Sequence, residues 1–130
     1  MRVLIADDSV VIVQRLVTML KDMDGIDIVG HAGTVAEALQ AVRTLKPDVF
    51  ILDMRMPGGS GIDVLESMKR DQVTPIVLVL TNYHYPQYRK KCVEHGARFF
   101  MDKSTEFQSV GAVLSSLIRQ ASSESENRQE

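Results

Sequence analysis

The chain has 130 residues, of which 45% are hydrophobic and 25% charged, and its formal net charge is −2. This size fits a single globular domain, and the slight negative charge argues against non-specific nucleic-acid binding. The single cysteine excludes an internal disulfide, and no apolar run approaches the roughly 20 residues that a membrane span requires. We therefore predict a cytoplasmic, single-domain protein.

Five short apolar runs are rich in β-branched or aromatic residues and mostly continuous, as is typical of strands buried on both faces of a parallel sheet. In chain order they cover residues 3–6, 26–29, 49–52, 76–80 and 98–101. The second run is the least continuous. It therefore predicts a strand at an edge of the sheet.

Amphipathic patterns with a spacing of three or four residues alternate with these runs. Ser9, Thr34 and Ser60 are N-cap candidates for the first three helices, Pro86 suits the first turn of the fourth, and the fifth covers residues 107–117. The order is a strand followed by a helix, five times. It predicts an α/β fold, a flavodoxin-like doubly wound (βα)5 arrangement with a five-stranded parallel sheet in the order 2-1-3-4-5.

The domain is expected to cover residues 1–120. After Gln120 the chain is rich in Ser and Glu and has almost nothing to bury. Residues 121–130 are therefore predicted to be a disordered polar tail or the start of a linker.

Polar residues follow four of the predicted strands, at the sheet edge where doubly wound folds bind their ligands. Asp7 and Asp8 follow the first strand, Asp53 follows the third, Thr81 ends the fourth, and Lys103 follows the fifth. Three converging carboxylates are costly unless a cation neutralises them or a proton is retained. Oxygen ligands favour Mg²⁺, with Mn²⁺ as an alternative. A metal with a lysine and a hydroxyl suits phosphoryl transfer, in which a carboxylate forms an aspartyl phosphate.

Other candidate motifs have simpler interpretations. The glycine-rich stretch 58–61 lacks the Lys-Ser/Thr of a P-loop and is predicted to be a turn followed by an N-cap. Cys92 lies on the pattern of the fourth helix and is expected to be a buried, unreactive thiol. Three histidines have no shared spacing and are predicted to be surface or cap residues: His31, His84 and His95.

Four segments in the right order, 7–9, 53–61, Thr81 and 100–103, together resemble the receiver domain of two-component response regulators, the CheY-like superfamily. The resemblance covers about residues 2–120. It implies that Asp53 is the phosphoacceptor. It also implies that Asp8 and Asp53 ligate Mg²⁺ together with the main-chain carbonyl of Arg55, while Asp7 assists through water.

The resemblance assigns three further roles. Lys103 would pair with the acceptor carboxylate and then with the phosphoryl group, and Thr81 would donate its hydroxyl to that group. Phe100 would be the aromatic residue whose rotamer follows this movement. The surface of the fourth helix, fifth strand and fifth helix would then switch for partner binding or dimerisation; Tyr83 and Tyr85 lie near it.

Three positions depart from the family pattern or leave a question open. Ser104 follows Lys103 where a proline is usual, so we predict a trans Lys103–Ser104 peptide bond. Asn82 follows Thr81 where Ala or Gly is common, and its side chain could narrow access to the phosphoryl group. Arg55 lies two residues past the acceptor, where it could bind an acidic neighbour or the phosphate.

The leading hypothesis is a signalling switch rather than a turnover enzyme, with self-phosphorylation and slow autodephosphorylation as its only chemistry. Its phosphoryl donor would be a histidine kinase or phosphotransfer protein. The output partner is unknown, a homodimer is possible, and this domain is not expected to bind nucleic acid or membrane. The alternatives are an aspartyl-phosphate-class phosphatase, a flavin carrier, and a receiver fragment of a longer DNA-binding transcriptional regulator.

Overall fold

The computed structural model describes residues 1–83 and 85–128, with side chains up to residue 123 at the C-terminal end. The prediction for His84 lies outside the described residues. None of the helices in this described part of the chain is both long and apolar enough to cross a membrane.

A five-stranded parallel sheet forms the centre of the molecule. Its strands are β1 (Arg2–Ala6), β2 (Asp27–Ala32), β3 (Val49–Leu52), β6 (Ile76–Thr81) and β7 (Phe99–Asp102). A short antiparallel hairpin of β4 (Arg55–Met56) and β5 (Gly59–Ser60) lies between β3 and the next helix. The spatial order is β2-β1-β3-β6-β7, with β2 at an edge. The predicted fold class, strand order and edge position of the second strand are thus confirmed.

Within the described residues, four helices lie between strands and a fifth follows β7: α1 (Val10–Leu20), α2 (Val35–Leu45), α3 (Gly61–Arg70), α4 (Pro86–Glu94) and α5 (Ser109–Arg128). The side chains of Ser9, Thr34 and Ser60 each accept a hydrogen bond from the backbone N–H three residues on. Each bond satisfies a donor that the first turn of a helix would otherwise leave unpaired. The three N-cap predictions are therefore confirmed.

Two hydrophobic cores cover the two faces of the sheet, because alternate residues of each strand point to opposite sides. Leu4 and Phe50 belong to the core beneath α2, α3 and α4. Ile5 and Ile51 belong to the core beneath α1 and α5. Burial on both faces explains why the central strands have continuous apolar sequences.

Strand β2 and helix α5 extend furthest beyond their predicted ends. Strand β2 continues to Ala32 because backbone pairing with β1 places Gly30 opposite Leu4 and His31 opposite Ile5, whatever their hydrophobicity. Helix α5 continues to Arg128 because no proline or glycine interrupts it after Gly111. Residues 121–123 are exposed. The backbone is helical as far as Arg128, where disorder was expected. The description of residues 121–130 as a polar tail or the start of a linker stays a prediction.

Candidate functional site

The predicted site residues meet at the carboxyl edge of the sheet because β1, β3, β6 and β7 are parallel and adjacent. Ala6 is paired with Leu52, so Asp7 and Asp53 leave neighbouring strands side by side. Thr81 is paired with Asp102, which brings Lys103 next to them. Four polar side chains are nearly buried here, with exposed fractions of 5% for Asp7, 5% for Asp53, 0% for Thr81 and 8% for Lys103.

Lys103 lies between two of the carboxylates. Its Nζ is 2.6 Å from Asp7 Oδ2 and 3.1 Å from Asp53 Oδ2. The other oxygen of each carboxylate accepts a backbone hydrogen bond, from Ser9 N–H to Asp7 (2.8 Å) and from Met54 N–H to Asp53 (2.7 Å). Each oxygen of the two buried carboxylates therefore has a partner, and the orientation of both groups is fixed from two sides.

The third carboxylate is placed differently. Asp8 is exposed, but one of its oxygens lies within 4.8 Å of oxygens of Asp7 and Asp53. These residues fit a hard divalent cation such as Mg²⁺ because all the donors are carboxylate oxygens and one of them, on Asp8, is exposed. One lysine charge against three carboxylates also leaves excess negative charge that a cation would neutralise.

Burial and the ion pairs act in opposite directions on the two titratable groups in the centre. Burial raises the pKa of Asp53 above its ordinary value; the Lys103 charge opposes this shift, and the Asp7 charge adds to it. Burial alone would lower the pKa of Lys103, but its hydrogen bond to Asp7 and the charges of Asp53 and Asp7 outweigh burial and raise it. The ammonium is thus held in its charged form beside the carboxylates.

Thr81 is tied to the loop that follows it. Its Oγ1 accepts a hydrogen bond from the Tyr83 backbone N–H at 3.0 Å. Because a hydroxyl also carries a proton that it can donate, this contact leaves the donor function of Thr81 in place. The backbone carbonyl of Thr81 accepts from the Lys103 N–H at 2.9 Å, which links the two strand ends directly.

Phe100 lies inward in this structure, with only 5% of its surface exposed. Arg89 of α4 contacts it twice. The guanidinium carbon lies 5.1 Å from the centre of the Phe100 ring, and Nη2 donates to the Phe100 carbonyl at 3.3 Å. The aromatic residue is therefore coupled to α4 as well as to the core.

Arg55 extends over an aromatic ring beside the site. Its guanidinium carbon is 4.6 Å from the centre of the Tyr83 ring, within the range of a cation–π contact. Since Tyr83 also donates its N–H to Thr81, this contact connects the residue two positions after Asp53 with the loop after β6.

Gly61 has a structural role that its position in a glycine-rich turn did not predict. A Cβ at this position would lie 2.6 Å from the carbonyl oxygen of Asp53. The Gly61 N–H donates to the Met54 carbonyl at 2.8 Å. The first residue of α3 therefore packs directly on the backbone that carries Asp53, and only glycine allows this approach.

Four smaller sequence hypotheses can be compared with the structure. Cys92 is buried, its Sγ lies 3.2 Å from Met54 Sδ, and burial raises its pKa to about 11. His95 is the C-cap of α4, with Nε2 3.6 Å from Glu66 Oε1, and His31 is exposed on β2. No cis peptide bond occurs among the described residues, so the Lys103–Ser104 bond is trans as predicted.

Comparison with known proteins identifies the family of this chain. The model of the response regulator receiver domain matches residues 3–115. The chain belongs to this family. Receiver domains bind Mg²⁺ at an acidic pocket, and the cluster of Asp7, Asp8 and Asp53 fits this property. Receiver domains also interact with histidine kinases and output domains.

Two curated relatives show the degree of similarity. The response regulator GacA of Pseudomonas viridiflava is 32% identical over 102 residues, which cover 78% of this chain and 48% of GacA. The DNA-binding transcriptional activator EvgA of Escherichia coli K12 is 31% identical over 114 residues, 88% of this chain and 55% of EvgA. The chain spans about half the length of the curated relatives that it matches.

A solved receiver domain has the same fold over nearly the whole chain. The response regulator domain of Thermotoga maritima CheB is 28% identical and superimposes with a TM-score of 0.80. The match covers 93% of this chain and 95% of that one. The family model and this structural neighbour favour the receiver hypothesis over a phosphatase or a flavin carrier.

Proposed function

We propose that this receiver domain accepts a phosphoryl group on Asp53 from a phosphohistidine of a histidine kinase or phosphotransfer protein. The observation that supports this most is the nearly buried Asp53 carboxylate between a lysine ammonium and two further aspartates. A carboxylate at the end of a central strand is held rigidly, which suits a nucleophile.

We propose the metal ligands that the family resemblance implies. Asp7, whose two oxygens contact the Ser9 N–H and the Lys103 ammonium, would contact the metal through water. Asp8 is exposed and is proposed as a direct ligand with Asp53 and the main-chain carbonyl of Arg55. When bound, Mg²⁺ would supply positive charge that stabilises the oxygens of the transferring phosphoryl group.

In the proposed reaction a carboxylate oxygen of Asp53 attacks phosphorus, and the bond from phosphorus to the donor imidazole nitrogen breaks. The electron pair of that bond stays with the imidazole, and Asp53 becomes an acyl phosphate. Lys103 neutralises negative charge beside the acceptor, and Thr81 donates its hydroxyl proton in a hydrogen bond to a phosphoryl oxygen.

A small phosphodonor tests the proposal without the cognate kinase. Acetyl phosphate with Mg²⁺ should add a single acid-stable, base-labile phosphoryl group that intact-mass spectrometry detects. Asp53→Asn should abolish the addition, Asp8→Asn should reduce it strongly, and Asp24→Asn, at an exposed loop position, should leave it unchanged. Equal addition to the wild type and to Asp53→Asn would refute the assignment of the acceptor.

The output is proposed to involve the face formed by α4, β7 and α5. Phe100 on β7 contacts Arg89 of α4, and Tyr85 and Val93 are each 57% exposed on or beside that helix. Aromatic and arginine side chains dominate the energetics of protein interfaces. A change at Thr81 and Phe100 would therefore reshape a surface suited to a partner protein or a second copy of this chain.

A receiver attached to a DNA-binding output domain is the second candidate for the whole protein. The observation in its favour is that GacA and EvgA, the latter named as a DNA-binding transcriptional activator, are each about twice the matched length. In this proposal the receiver regulates the output domain and does not itself contact nucleic acid. A cytoplasmic location stays a prediction.

A further inference from the structure

Asn82 and Ser104, the two residues that depart from the family pattern beside the site, contact each other. The Ser104 hydroxyl donates a hydrogen bond to Asn82 Oδ1 at 3.2 Å. Asn82 directly follows Thr81, and Ser104 directly follows Lys103. The contact therefore joins the loop after β6 to the loop after β7, next to the residues proposed to bind the phosphoryl group.

The backbone around Lys103 is anchored on both sides of this contact. The Lys103 N–H donates to the Thr81 carbonyl at 2.9 Å, and the Ser104 N–H donates to Asp102 Oδ1 at 2.7 Å. A proline at position 104 has no N–H and no hydroxyl. Serine therefore gives this loop two hydrogen bonds that proline cannot make, from its N–H to Asp102 and from its hydroxyl to Asn82.

We propose that the Asn82–Ser104 hydrogen bond is a clasp that positions Lys103 for the chemistry at Asp53. Both are positioning residues, because they act through the backbone of Lys103. A small rotation of that backbone is amplified along the lysine side chain, whose Nζ must reach Asp53 at 3.1 Å. Displacements of about 1 Å at a reacting centre are costly in rate, so a peripheral hydrogen bond can affect phosphorylation.

The clasp makes a different prediction from a purely steric role of Asn82. If Asn82 only narrows access to the site, then Asn82→Ala speeds phosphorylation whatever residue is at position 104. If Asn82 holds Ser104, then Asn82→Ala slows phosphorylation, and it does so only while the Ser104 hydroxyl is present. The two roles are separated by a double-mutant cycle.

The first experiment rests on the proposed function and measures the rate of phosphorylation by acetyl phosphate and Mg²⁺. Asn82→Ala and Ser104→Ala should each lower the rate about two- to tenfold, the range of one lost hydrogen bond. The double variant should be no slower than the slower single variant, and Ser104→Thr should restore the rate. Effects that multiply, or faster phosphorylation of Asn82→Ala in both backgrounds, would overturn the clasp.

The second experiment needs no phosphodonor. The ε-methylene resonance of Lys103 is recorded by NMR in the same variants, without divalent cations. It should shift in the same direction in Asn82→Ala and in Ser104→Ala, and return in Ser104→Thr; an unchanged resonance in both alanine variants would overturn the proposal. If the wild type accepts no phosphoryl group, the proposed function fails. The NMR measurement alone then decides whether the Asn82–Ser104 hydrogen bond positions Lys103.

Discussion

Replacement of Lys103 by methionine tests how much its two buried ion pairs stabilise the fold. The Lys103 ammonium lies 2.6 Å from Asp7 and 3.1 Å from Asp53, and the side chain is 8% exposed. At an effective dielectric constant of about 20, these distances correspond to attractions of about 6 and about 5 kcal/mol before desolvation is subtracted. Breaking such a pair typically costs about 3–5 kcal/mol, because a buried charge is left without compensation. We expect Lys103→Met to lower the free energy of unfolding by about 3 kcal/mol at pH 7.

The loss of stability in Lys103→Met should depend on pH, and the pKa shift of Asp53 determines whether it grows or shrinks as the pH rises. Burial raises the pKa of Asp53, and the charge of Lys103 is the largest opposing influence, so the pKa rises further in the variant. A carboxyl group whose pKa is higher in the folded than in the unfolded protein contributes stability at low pH, below its unfolded pKa. That contribution disappears as the pH rises through the folded pKa. The deficit of the variant should therefore be largest near pH 7 and shrink towards pH 4.

Urea unfolding followed by far-UV circular dichroism measures both effects in the absence of divalent cations. The wild type and Lys103→Met are compared at pH 7 and pH 4.5. Lys21→Met, at an exposed position after α1, is the control and should change stability by less than about 0.5 kcal/mol. A deficit of Lys103→Met equal at the two pH values, or no larger than that of the control, would show that the ion pairs do not stabilise this fold.

Three further outcomes follow from the structure. Because burial raises the pKa of Cys92 to about 11, alkylation by iodoacetamide at pH 8 should be at least about 100-fold slower in the native protein than in urea, and comparable rates would contradict the buried position. Gly61→Ala should lower the free energy of unfolding by about 1–3 kcal/mol, because its Cβ would lie 2.6 Å from the Asp53 carbonyl oxygen. Gly111→Ala in α5 meets only an ordinary contact and should be neutral or stabilising, so urea titrations with equal losses for both glycines would refute this argument. Beryllofluoride with Mg²⁺, a phosphoryl mimic, should shift amide NMR resonances across residues 82–104; shifts confined to the aspartate pocket would argue against the α4–β7–α5 face as the switch.

The fold could be predicted from the sequence because its strands are buried on both faces. Continuous apolar runs as short as Val49–Leu52 are typical of such strands, and a parallel sheet requires a long connection, usually a helix, between successive strands. The parallel order then placed the ends of β1, β3, β6 and β7 at a common edge. That reasoning found Asp7, Asp53, Thr81 and Lys103 together, because it needs only the topology and the residue at the end of each strand.

Contacts made by backbone atoms could not be predicted from the sequence patterns. Strand β2 extends over Gly30 and His31 because ladder hydrogen bonds do not require apolar side chains. The packing of Gly61 on the Asp53 carbonyl depends on how α3 approaches the end of β3, and a glycine in a turn carries no separate signal for it. The only sequence signal available was that a glycine follows the N-cap Ser60, where a glycine is not needed for capping.

The preferred carboxylate partner of Lys103 depends on side-chain geometry, which a sequence motif does not contain. The family resemblance implies a pairing of Lys103 with Asp53, yet the shorter of its two contacts in this structure is with Asp7. Because Asp7 is also bonded to the Ser9 N–H, the lysine is connected through it to the start of α1. A bound cation must therefore share the Asp7 and Asp53 oxygens with Lys103, and a phosphoryl group must compete with these two carboxylates for the lysine. Positioning of the Lys103 backbone, which Asn82 and Ser104 would control, should then matter most at the moment when the contact with Asp7 is exchanged for one with the phosphoryl group.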